Sequence, residues 1–144
     1  MMMERRRYVL AVMSAGDRPE YSPAQLQKLF FLMDKEVPSH TGGPYFNWRA
    51  YDYGPFDAAV YEEAEMLAAL GLTMVDKSSF YRVYSLSAAG LEQGKAALTE
   101  FTPAGRDFAV RAANWVRAVS FNQLVTEIYK RYPEMKENSV FRAA

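Results

Sequence analysis

The sequence predicts an α+β domain that is mainly helical, and three observations lead there. Apolar residues recur at helical spacing in several stretches, most clearly Leu26, Leu29, Phe30 and Met33, and later Phe121, Leu124, Val125 and Ile128. The pairs Ser22-Pro23 and Thr102-Pro103 are helix starts: the hydroxyl accepts from free amides, and proline at the first helical position gives up an amide that would be unpaired anyway. Between Leu72 and Leu86 the composition changes to β-branched and aromatic residues around Asp76-Lys77-Ser78-Ser79, which is turn chemistry and predicts a β-hairpin.

The elements follow in order. A first helix spans about Glu4 to Ala15, with Tyr8, Val9, Val12 and Met13 on one face, and Gly16-Asp17-Arg18-Pro19 ends it. The second starts at Ser22-Pro23 and closes before Pro38; Phe31 and Leu32 widen its apolar stripe, which makes it central, and Gln25, Gln27 and Lys28 are assigned its wet side. From Pro38 to Phe56 the chain is a long connection with a short strand expected between Phe46 and Tyr51. Asp57 caps a third helix to about Leu70, which Gly71 stops. After the hairpin, Ser87 opens a helix weakened by Gly90 and Gly94. Thr102-Pro103 begins another to about Val119, aligning Phe108, Ala112, Trp115, Val116 and Val119 on one apolar face that places Trp115 in the core, and Ser120 caps the last, ended by Pro133.

A length of 144 residues, half of them hydrophobic, suits one domain over 1–144 with a real core. Seventeen basic against seventeen acidic residues leave no net charge to draw the chain to nucleic acid or an anionic membrane. The absence of cysteine excludes disulfides, thiol catalysis and thiolate metal sites and fits a reducing compartment. The basic start Glu4-Arg5-Arg6-Arg7 precedes an apolar run too short to cross a membrane, so a cytoplasmic protein without membrane partners is expected.

Chemistry is sparse. His40 stands beside Thr41-Gly42-Gly43-Pro44 with neither a carboxylate nor a nucleophile placed to use it, and no helix start follows Gly43 to make a phosphate loop. Glu62 and Glu65 lack the Glu-x-x-His companion of a carboxylate metal site. No catalytic residue, cofactor or metal is therefore expected. What stands out is Trp48-Arg49-Ala50-Tyr51-Asp52-Tyr53-Gly54-Pro55-Phe56, with Tyr45 before it. These rings on a Gly-Pro-interrupted connection either fasten the loop to the core or form a recognition surface.

Three helices, a hairpin and the returning segment Tyr84-Ser85-Leu86 resemble a winged-helix scaffold. The expectation is a winged-helix-like half, residues 1–99, packed on a C-terminal helical pair, residues 100–144. Leu26-Gln27-Lys28-Leu29-Phe30-Phe31, the Trp48 to Pro55 stretch and Tyr61-Glu62 resemble the Panacea domain of antitoxins and phage-associated proteins, over roughly Ser22 to Glu62. Asp52 departs from the basic residue common there. The resemblance implies a non-enzymatic antitoxin that neutralises a toxin by direct contact. On that reading Trp48, Tyr51, Asp52, Tyr53, Phe56, Glu62 and Glu65 hold a basic protein partner.

The alternative is a DNA-binding winged-helix regulator, a homodimer through its last amphipathic helix. Its recognition helix would carry Asp57, Glu62, Glu63 and Glu65 and no Lys or Arg, which sets acid against phosphate. Arg5, Arg6 and Arg7 with Lys28, or Arg106, Arg111 and Arg117, are the basic faces left to it.

Overall fold

A computed structural model describes residues 3–18 and 20–142 and has the expected α+β, mainly helical class. Its helices are α1 (Arg5–Met13), α2 (Pro23–Glu36), α3 (Pro38–Thr41), α4 (Ala59–Ala69), α5 (Ala88–Leu98), α6 (Pro103–Ala118) and α7 (Phe121–Arg131). Two antiparallel hairpins are formed by β1 (Arg49–Tyr51) with β2 (Gly54–Phe56), and by β3 (Thr73–Asp76) with β4 (Val83–Leu86).

The capping chemistry works as the sequence indicates. Ser22 and Ser120 each form a capping box, with Gln25 and Gln123 respectively; Ser87 and Thr102 accept from the amides of Gly90 and Gly105. Asp57 differs from the expectation: it stands one residue before Ala58, the N-cap of α4, which has no side-chain cap, and its Oδ1 accepts from Ala59 N at 2.9 Å.

The core is built around α1 and α2. Every residue from Tyr8 to Met13 is buried, so α1 has no single inward face as expected; it is enclosed by α4, α5 and the α2–α6 side. Gly94 lets α5 approach closely, since a Cβ there would lie 2.5 Å from the Leu10 carbonyl oxygen. Nine consecutive residues of α2, Leu26 to Asp34, are also buried, with α6 and α7 packed on it from the C-terminal side. Each apolar side chain fully buried here contributes roughly 1.5–3 kcal/mol, before the entropy of ordering the chain is subtracted. Two residues expected on the wet side of α2 lie inside instead. Gln27 and Lys28 are each 3% exposed and do not form a wet side. Five apolar residues in succession, Leu29 to Met33, project around the whole helix, and neighbours cover all of it.

The free edge of β4 is bridged by Tyr21, whose N–H donates to Tyr84 O at 2.7 Å and whose carbonyl accepts from Tyr84 N at 2.9 Å. The connection from Pro38 to Phe56 is more ordered than expected: it holds the helical turn α3, and the expected strand begins at Arg49 and not Phe46. Gly54-Pro55 does not break the chain there. It lies in β2, with Tyr51 opposite Gly54 and Ala50 opposite Pro55 around the two-residue turn Asp52-Tyr53. A two-stranded ribbon has only edges, so the N–H that proline lacks need not be one the partner strand uses. After α7, a 3₁₀ turn at Pro133–Lys136 leads the chain back over this hairpin.

Candidate functional site

The aromatic segment divides into a root and a tip. At the root, the carboxylate of Asp34, 5% exposed, accepts from Tyr45 N, Phe46 N and Trp48 Nε1, each at 3.0 Å, and from the more distant Tyr8 hydroxyl at 3.5 Å. Burial pushes the Asp34 carboxyl above the ordinary range, and these donors pull against that shift. Tyr45 stacks on Tyr8 at 3.9 Å between ring centres, and Trp48 meets Phe31 edge-on at 5.6 Å. The far end is fastened by Gln27, which donates to Asp57 O and accepts from Asp57 N, both at 3.0 Å, while Asp57 Oδ2 accepts from Asn47 N at 2.8 Å. Trp48 is thus half-buried and tied to α2.

The tip projects from this anchored frame. Tyr51 and Tyr53 are 43% and 45% exposed. Tyr51 stacks on Phe56 at 4.8 Å, and the Arg49 guanidinium lies over both rings. Tyr53 meets Phe121 of α7 edge-on at 5.4 Å. The returning tail braces the turn: Val140 N donates to Asp52 O at 2.9 Å, and Asn138 Nδ2 to Ala50 O at 3.2 Å. Gly54, at φ +109°, is required here. The conformation disfavours any side chain, and a Cβ would crowd Tyr129 at 3.3 Å and approach Lys28 Cε at 3.8 Å.

Beneath the tip is a pocket of about 290 Å³, walled by Tyr51, Tyr53, Phe56, Tyr61 and Phe121, with Asp52 and Lys28 also lining it. Burial lowers the pKa of Lys28 to about 8, and no acid offsets the desolvation. A larger apolar groove of about 730 Å³ runs between α6 and α7; Trp115 lines it half-exposed instead of sitting in the core, and none of its ionisable lining residues is buried.

The residues expected to form one site therefore fall into three places. Tyr51, Asp52, Tyr53 and Phe56 come together around the pocket, and Tyr61 extends them toward α4, stacked on Tyr84 at 5.4 Å. Trp48 belongs to the root. Glu62 is exposed on α4, while Glu65 turns to the β3–β4 hairpin and pairs with Lys77 at 3.8 Å. Glu63 leaves the acidic face altogether: it is buried and accepts from Arg5 at 3.3 Å. The residues of the two basic faces left to the DNA-binding alternative are largely partnered. Lys28 is buried, Arg7 pairs with Glu100, Arg111 with Asp107, and Arg106 and Arg117 donate to backbone carbonyls nearby. His40 is held by Thr102, its Nδ1 2.7 Å from the hydroxyl that caps α6.

Sequence reasoning missed Asp34 and Lys28. Their signal was a charged residue at either end of an uninterrupted apolar run on one helix. No family, curated protein or solved structure matches the chain. Among the described residues, no helix is long and apolar enough to cross a membrane.

Proposed function

We propose that this chain is a protein-interaction module of antitoxin type, and that it contacts its partner through the tip of the β1–β2 hairpin. The observation that carries the reading is the pairing of exposure with rigidity. Tyr51 and Tyr53 stand out to solvent on a turn braced from α2, α7 and the C-terminal tail. Tyrosine supplies large contact area at small entropic cost, and a surface ordered before binding loses little on association. Charge at the tip is mixed, with Asp52 in the turn and the Arg49 guanidinium over Tyr51 and Phe56, while Glu62 on α4 is exposed; a basic partner would meet Asp52 and Glu62, which orients encounter. The resemblance to the Panacea domain points to the same segment and supplies the antitoxin class.

The test compares the parent with the Tyr51→Ala, Tyr53→Ala double variant, both shown to be folded, as bait in native lysate over a salt series. A protein kept by the parent, lost by the variant and still held at high salt supports the reading. Nucleic acid kept by both and released steeply by salt would replace it with the winged-helix regulator.

A further inference from the structure

Lys28 has no internal reason to carry a charge where it lies. It is 3% exposed, it has no hydrogen-bonding or ionic partner among the described residues, and burial is the whole cause of its lowered pKa. Its Nζ is not sealed away: Arg6 Nε is the one buried side-chain polar atom among the described residues that is closed to solvent without a hydrogen bond, and Lys28 opens onto the pocket under the hairpin tip. Asp52 lines the same pocket but lies beyond ion-pair range.

We propose that this pocket binds a carboxylate, with Lys28 Nζ as its counter-charge and the rings of Tyr51, Tyr53, Phe56 and Phe121 around an apolar body.

Three features select the class. An amine without a partner in a low-dielectric site gains most from one ionised acceptor, because charge-assisted hydrogen bonds strengthen as water is excluded. Lys28 is the one cation among the lining residues and Asp52 already adds a negative charge beyond its ion-pair range, so each further negative charge is repelled and a singly charged acid fits better than a doubly charged phosphate. The walls are chiefly aromatic, and about 290 Å³ lies at the small end of ligand pockets, which suits one ring or one terminal residue. The carboxylate can come from a small aromatic acid or from the free C-terminus of a protein partner. The inference concerns the chemistry of the pocket and stands whether or not the tip docks a protein.

The test is an NMR titration of the full chain with 3-phenylpropionate, its neutral amide, phenyl phosphate, and the peptide Gly-Gly-Phe as free acid and as amide. The parent should bind each free acid at least about tenfold more tightly than its amide, as expected for one charge-assisted contact, and more tightly than phenyl phosphate. Lys28→Met and Lys28→Gln should bring acid and amide to equal affinity, while Asp52→Asn keeps or enlarges the preference. A tighter small acid identifies a small-molecule source, and a tighter peptide acid a protein C-terminus. Equal affinity of acid and amide in the parent, no saturable binding by either, or tighter binding of phenyl phosphate would overturn the proposal without need of any variant. An acid preference that survives in Lys28→Met would do the same. A parent that captures no protein, or a partner that the Tyr51→Ala, Tyr53→Ala variant still holds, with the acid preference intact would remove the protein-contact reading and leave this one.

Discussion

The root and the tip of one aromatic segment, a few residues apart, meet opposite fates. Tyr45, Phe46 and Trp48 are drawn inward because one buried carboxylate, Asp34, gathers their N–H groups, so their rings add to the core. Tyr51 and Tyr53 have no such acceptor, and a two-residue turn with strands three residues long lifts them into solvent. Aromatic composition alone does not separate scaffold from surface; the position of a polar partner does.

That contrast can be broken at its strongest point first. Asp34→Ala strands two backbone amides and the Trp48 indole N–H in a mostly buried setting, and should lower unfolding free energy by about 3–5 kcal/mol in urea denaturation. Trp48→Ala removes one of these donors together with a half-buried ring packed on Phe31, and should cost about 3 kcal/mol in the same measurement.

Lys28→Met sharpens the contrast with the opposite sign. Lysine keeps its proton up to its ordinary value of 10.5 in the unfolded chain but only to about 8 in the fold. Unfolding therefore takes up a proton between those values, so stability rises with pH from about 8 to about 10.5. Below that window both states are charged and the cost of burial is constant. The methionine variant should be more stable by about 1–3 kcal/mol at pH 7, and its stability should no longer climb across the window. Smallest is the effect expected at the tip: Tyr51→Ala and Tyr53→Ala should each change stability by less than about 1 kcal/mol in thermal unfolding, since only exposed ring contacts are lost.

Where structure depends on neighbours in sequence, it was legible. Ser22-Pro23, Thr102-Pro103, Ser87 and Ser120 each act through the hydroxyl on the amide three residues ahead, and each starts the helix expected of it. The β3–β4 hairpin was equally local, although its strands are shorter than its aromatic residues suggest: Phe80 and Tyr81 lie outside them and are exposed. What was not legible depends on partners distant in sequence. Lys28 is polar, and it is enclosed by elements distant in sequence, among them the β1–β2 hairpin and α7. Asp34 looks like one more charge near a helix end until the connection folds back onto it. Glu63 shares a helix with Glu62 and Glu65, and only the packing of α1 brings Arg5 to it. Within the candidate site the tip was visible as an aromatic cluster. Its separation from Trp48 was not, because nothing in the spacing of those residues marks where Asp34 stops holding them.

The division between root and tip is tested most directly by urea unfolding of Trp48→Ala beside the Tyr51→Ala, Tyr53→Ala double variant, at one pH below 8. Removing the single root ring should cost about 3 kcal/mol, and removing both tip rings clearly less. Equal losses, or a larger loss at the tip, would mean that Tyr51 and Tyr53 serve the fold, and would contradict their assignment to a binding surface.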